Sequence, residues 1–275
     1  MIRTARKSRL RQATIKYSAI TFTNLQNQLA YIWDAIGRAL FIILIMFIFV
    51  QLWSAAYESQ SAAEIAGLTL ADTIWYFLIA EMIELGKFRH DQRISDEVKD
   101  GSIAYTMNRP YNYLAYHFFN GLGETVVKMI LIFLLGLPVV LWYAGPPTIT
   151  LAALPAMIVV FFLALLLDFF MASSIGLLAF ITEDTFSFRL IYQKLIFILG
   201  GLLIPLDFLP EWLQRIARLL PFSQVTYAPA KLFVAFDPQL FWGTVAMQLI
   251  WITIMGALLF LQYRWAVRRL VVNGG

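Results

Sequence analysis

The chain contains no cysteine and only two histidines, His90 and His117, among its 275 residues. Disulfide scaffolds, thiolate metal or redox sites and histidine-rich metal clusters are thereby excluded. Charge is scarce too: Asp, Glu, Lys and Arg make up 14% of the residues, against roughly 25% in ordinary soluble domains. With 60% of residues apolar and 16% aromatic, that deficit rules out a water-soluble globule. The compact signatures of nucleotide and hydrolase chemistry are missing as well, since GxxxxGK(S/T), GxSxG and HExxH do not occur. Ser173 and Ser174 sit in an apolar run, but no later run carries a histidine, so an intramembrane serine protease pair is excluded. No repeat or low-complexity tract divides the chain, which reads as a single domain over residues 1–275.

What the chain does have is apolar segments close to the ~20 residues that cross a bilayer, and a mean hydropathy of +0.72. The fold class is therefore an all-α polytopic membrane protein. Six transmembrane spans are predicted: Ala39 to Tyr57, Leu68 to Leu85, about Leu114 to Tyr143, Leu151 to Thr182, Leu190 to Leu206, and Phe241 to Tyr263. The third and fourth exceed one bilayer at ~1.5 Å per residue and are expected to protrude into the cytoplasm. Before them, Ile15, Ala19, Phe22, Leu25, Leu29, Ile32 and Ile36 recur at helical spacing. Residues 1–38 thus form an amphipathic helix expected to lie in the headgroup plane. The stretch Ala13 to Gln28 is too polar to be the core of a signal peptide, so this segment is expected to be retained.

Lys and Arg number 21 against 17 Asp and Glu, a net charge of +4 with pI near 9.3. They flank the spans instead of forming a nucleic-acid-binding face. Arg3, Arg6, Lys7, Arg9, Arg11, Lys16 and Arg38 precede the first span, Lys87, Arg89, Arg93, Lys99 and Arg109 follow the second, and Arg264, Arg268 and Arg269 follow the last. Ser54 to Thr69 and Gly145 to Thr150 have none. The positive-inside rule then places both termini in the cytoplasm. The segment Pro205 to Gln239, which keeps Arg215, Arg218 and Lys231, is the exception. There Pro210 starts a helix with Trp212, Ile216, Leu219 and Leu220 on one face, Pro221 stops it, and a second short helix is predicted from Pro229 to Ala235. Such short helices would dip into the outer leaflet with their backbone bonds satisfied.

Two polar groupings remain. In the cytoplasmic loop, residues 86–112, Ser95 is placed to cap a short helix whose first turn holds Asp96 and Glu97, Lys99 and Asp100 follow, and Gly101 supplies a left-handed stop. Within the spans, Lys128 lies one helical turn beyond Glu124. Asp168 lies as far past the Gly145-Pro-Pro hairpin as they lie before it, so Glu124, Lys128 and Asp168 are predicted to form an intramembrane cluster. It would either fix helix register or line a polar path.

Asp100-Gly101 with Ala104 opens the metal-binding motif of CDP-alcohol phosphatidyltransferases, but Tyr105 stands where that motif needs arginine and its later glycine and aspartate are replaced by Leu114 and Phe118. A better match covers most of the chain. Ile94-x-Asp96-Glu97-Val98-x-Asp100-Gly101-Ser102-Ile103-Ala104 followed by Arg109-Pro110 resembles the six-span permeases of ABC-2 type exporters. It resembles in particular the small permeases found in bacterial export operons with an ATPase. Gly67-Leu-Thr-Leu before Ile74-Trp-Tyr, and Ile204-Pro205-Leu-Asp-Phe-Leu-Pro210-Glu-Trp212-Leu with Leu220-Pro221-Phe, agree with it. The resemblance implies an interfacial N-terminal helix, a coupling helix after span two and re-entrant helices before span six. It implies a transport subunit, not an enzyme, in the bacterial inner membrane, exporting a drug, lipophilic cation, lipid or peptide. Implied partners are two ATP-binding cassette ATPase subunits and a second permease half, identical or homologous, within the lipid bilayer, and no nucleic acid. ATP and Mg would be held by the ATPases, with no cofactor on this chain. A membrane anchor for a lipid-modifying enzyme, or an ion-coupled carrier, are the alternatives.

Overall fold

The computed structural model describes residues 2–147, 153–182 and 184–273. The start expected for span four at Leu151, part of the Gly145 to Thr150 loop, and the side chains of Arg3, Arg6, Lys7, Arg9 and Arg269 lie outside the described residues. The described chain is all-α apart from one two-stranded hairpin. Helix α1 (Ile2–Ala30) leads through α2 (Ile32–Ala39) to α3 (Phe41–Ser59). The hairpin β1 (Glu64–Ile65) and β2 (Leu68–Thr69) then turns the chain into α4 (Leu70–Gly86). A Thr69/Asp72 capping box starts that helix. Then come α5 (His90–Lys99), α6 (Ser102–Met107), α7 (Tyr113–Ala144), α8 (Leu154–Leu177, extended by a 3-10 turn to Phe180) and α9 (Phe186–Leu199). Four short pieces, a 3-10 turn at Leu206–Phe208, α10 (Glu211–Leu219), α11 (Pro221–Val225) and α12 (Tyr227–Val234), lead into α13 (Pro238–Asn273).

Among the described residues, four helical stretches are long and apolar enough to cross a membrane: Ile32–Ser59, Tyr113–Ala144, Leu154–Phe180 and Pro238–Arg268. Helix α4 has 17 residues, about 25 Å. The predicted fifth span is corrected: α9 has 14 residues, about 21 Å, and stops at Leu199, not Leu206. Gly200 closes it on Ile196 O, and Gly201, at φ +75°, turns the chain so that its carbonyl accepts from Tyr76 OH at 2.7 Å.

The apolar side chains form two main cores. One joins α3, α4, the later half of α7 and the short helices α10 to α12; the other joins α5, α6, the first turns of α7, the end of α8 and α13. On α7 the charged residues Glu124 and Lys128 fall between Phe118 of the second core and Ile132 of the first, and Glu84 and Lys87 fall between Ile83 and Ile94.

The N-terminal helix docks along the start of α7. Contacts of Lys16 with Pro110, Thr21 with Phe119, Asn24 with Asn120 and Gln28 with Glu124 advance together along both chains, so α1 runs parallel to α7 over this stretch. Its protein-facing side mixes Thr21, Asn24 and Gln28 with Tyr17, stacked on Phe119, and the half-buried Ile20 and Leu25. The apolar residues Ile15, Phe22 and Leu29 point away from the protein. Close approach is possible because α7 has Gly123 there: a Cβ would stand 2.5 Å from Thr21 O.

Candidate functional site

The elbow between α4 and α5 draws most of the buried charge together. Lys87 sits just past α4 in extended conformation, 7% exposed, with Glu84 at 2.7 Å and Asp168 of α8 at 3.2 Å. Tyr192 of α9 donates to the same Asp168 oxygen at 2.6 Å, and Phe88 N donates to Thr125 of α7 at 3.1 Å. One ammonium thus ties the end of α4 to α8 directly and to α9 through Asp168. Ionised groups removed from water persist only when paired in this way. Glu81, one turn before Glu84, is also buried and makes no hydrogen bond or ion pair among the described residues.

This corrects the predicted cluster. Lys128 does pair with Glu124, and Gln28 also donates to Glu124, but the pair is partly exposed. Asp168 belongs to Lys87 instead. Helix rotation turns Lys128 toward Ala35 and Arg38 of α2 and Asp168 toward the elbow.

Beyond the elbow, α5 begins at His90, five residues before the predicted cap. Ser95 is therefore mid-helix and buried, and caps nothing; its hydroxyl accepts from Thr185 at 2.8 Å, just ahead of α9. Glu97 is buried as well and unavailable to an outside partner. It accepts from Tyr113 OH at 3.0 Å, lies 3.2 Å from His117 Nε2 and pairs with Arg93 at 3.1 Å. Burial alone would raise its pKa, but the contacts to His117, Tyr113 and Arg93 outweigh this and hold the carboxyl below its usual range. His90 is pushed down to about 3, first by burial and then by the neighbouring His117.

The outward face of the helix remains free of the bundle. Asp96, Lys99 and Asp100 are exposed, with Lys99 reaching Asp184 at 2.9 Å. Asp100 accepts from Ser102 N at 2.8 Å, which starts α6 directly after the helix stop. Gly101 is left-handed as predicted, at φ +76°. On α6, Tyr105 stays 69% exposed with Arg109 over its ring at 4.9 Å. Ile94, Ile103 and Tyr113 anchor the inner side in the smaller core. Among the described residues, no group of three or more His, Asp or Glu is placed to hold a metal ion.

At the opposite end, Pro205 precedes the 3-10 turn, Pro210 the start of α10, and Pro221 opens α11. The second predicted helix begins earlier, at Tyr227, and ends at Val234, and α11 was not foreseen. Trp212, Ile216 and Leu219 face away from the protein while Gln214 and Arg218 hold the 207–209 turn. Helices α11 and α12 are almost wholly buried against α4 and α8.

The elbow anchor escaped sequence reasoning, although a signal was present: Glu81 and Glu84 are acids inside an apolar run, and Lys87 lies three residues from the second. A family model described as ABC-2 family transporter protein matches residues 41–274. No curated protein and no solved structure gives a significant match.

Proposed function

The chain belongs to the ABC-2 family of transporter proteins, and from that premise we propose that it is one permease half of an ATP-binding cassette exporter. It is a multi-pass membrane protein and, as a family member, the membrane component of the transporter, without an ATPase site of its own. In the proposed assembly two ATPase subunits and a second permease half complete the unit. The end bearing α5 faces the cytoplasm, α4 and α9 join the four long helical stretches to make six spans, and an amphiphile is moved outward.

One observation carries the coupling role: α5 shows Asp96, Lys99 and Asp100 outward while its other face is bound to α7, α8 and the start of α9. A push on the exposed face is therefore delivered to three helices at once, and through Lys87 to α4. Closure of the ATPases on ATP would displace α5–α6 as a rigid piece and bias the bundle between two packings. No bond is made or broken by this chain. Gly101→Val tests the reading, because a β-branched residue is strained at that φ. The assembled complex should keep its subunits but lose substrate-stimulated ATP hydrolysis and export. Normal stimulation in an assembled Gly101→Val complex would refute the coupling role, and failure of any ATPase to copurify would favour the membrane-anchor alternative.

A further inference from the structure

Between the 206–208 turn, α12 and the start of α13 lies a cavity of about 420 Å³, within the ~300–1,000 Å³ usual for ligand sites. Its walls include Asp207, Arg218, Gln224, Lys231, Gly243 and Thr244. Asp207 serves both cations: Arg218 Nη2 donates to it at 2.9 Å and Lys231 Nζ lies 3.0 Å away. Two cations against one carboxylate leave one positive charge in excess. Lys231, mostly buried, has Asp207 as its one charged partner among the described residues. Gln224, 6% exposed, has an Oε1 without a partner. Leu240 and Met247 of α13 also line the cavity, Trp242 next to Gly243 is exposed, and Trp212, Ile216 and Leu219 are exposed on α10, the helix that carries Arg218.

A half-buried excess cation rimmed by lipid-facing aromatic and aliphatic side chains calls for an anion that carries its own apolar tail. Phosphate fits the charge, because its oxygens accept several charge-assisted hydrogen bonds from Lys and Arg at once. We infer that this cavity holds the headgroup phosphate of an anionic phospholipid or phospholipid-like amphiphile, contacted by Lys231 and Arg218, with its acyl chains along α10 and α13. The inference rests on the membrane placement of the chain. It does not require transport, since a resident lipid and a transported one present the same chemistry.

The test uses the full-length chain in phosphatidylcholine nanodiscs with and without phosphatidylglycerol, with lipid retained after delipidation read by native mass spectrometry. The wild type should retain phosphatidylglycerol in preference to phosphatidylcholine. Lys231→Gln should weaken retention about tenfold, the loss of one charge-assisted contact. Because that change also takes one of the two cations from Asp207, which keeps Arg218 and Tyr227, Gly243→Met is the second variant: a Cβ there meets nothing within 4 Å, so the side chain fills the cavity and leaves the ion pairs intact. It should lower retention similarly with unchanged elution and lipid-free thermal midpoint. The inference is overturned if the wild type shows no preference, if a folded Gly243→Met retains lipid normally, or if glycerol phosphate displaces the lipid as well as the lipid itself does. With ATPase subunits present, loss of outward movement of a labelled phosphatidylglycerol in Gly243→Met assigns the site to cargo. Unchanged movement with lost retention assigns it to a resident lipid.

Discussion

Lys87 and Lys128 have the same charge at nearly the same depth, yet their surroundings set different costs for losing them. Lys87→Met strands the buried Asp168 and leaves the partly buried Glu84 without its cation, and should destabilise the protein by roughly 3–5 kcal/mol. Lys128→Met frees only the partly exposed Glu124, which Gln28 still contacts, and should cost about 1 kcal/mol or less. Thermal unfolding of the two purified variants checks the order; equal losses would refute the assignment of Asp168 to Lys87. His90 makes a second expectation. Folded His90 stays neutral down to about pH 3, while an unfolded histidine protonates near ~6.5. Between these values the unfolded chain binds more protons, so stability is full above the upper value and falls as pH drops toward the lower. Amide exchange across residues 87–100 should accelerate as pH is lowered from about 6.5 once the intrinsic rate is corrected, and His90→Gln should flatten that slope. The ring packs on Phe88 and Phe169, so the variant will be less stable throughout; the slope is the informative quantity.

Helix α1 illustrates how a correctly recognised element can still be misread. Its periodicity was legible, because apolar residues at helical spacing are a local property. Its seat against α7 was not, because Thr21, Asn24 and Gln28, residues that hydropathy assigns to water, make its cross-helix hydrogen bonds. Gly123 permits the approach, so Gly123→Leu should lever α1 off α7. Limited proteolysis should then release the first thirty or so residues early, roughly at the helix break near Tyr31, while the remaining helices stay protected. Unchanged protection of α1 would show that α7 yields instead. Helix α5 gives the converse lesson. The Asp100-Gly101 stop was readable because only the backbone of one residue is involved. The helix start was not, since Ser95 satisfies every local rule for a cap and is overruled by its contact with Thr185, ninety positions away.

For the molecule as a whole, α1 and the end of α13 lie beside the α5 end, as Lys16 on Pro110 and the stacking of Tyr263 on Tyr113 at 6.0 Å show. The hairpin at 64–69 and α10 lie at the other. Single cysteines at Ser59 and Asn108, both exposed, should therefore react with an impermeant reagent from opposite sides of the membrane, Ser59→Cys in intact cells and Asn108→Cys only after permeabilisation. Reaction of both in intact cells would overturn the proposed orientation.

The membrane class, the extents of α3, α4 and α7 to within a few residues, the start of α13, and the glycine stop after α5 follow from the order of residues alone, whereas α13 runs on to Asn273, ten residues past the predicted end of the last span. Each depends on quantities that add along the chain: transfer free energy over some twenty positions, or the steric limits of one backbone. The partner of Asp168, the burial of Glu97 and the seat of α1 depend instead on how helices are rotated against one another. Rotating a helix by one residue, about 100°, leaves its hydropathy unchanged and moves every charge to a new neighbour, so those outcomes belong to the packing.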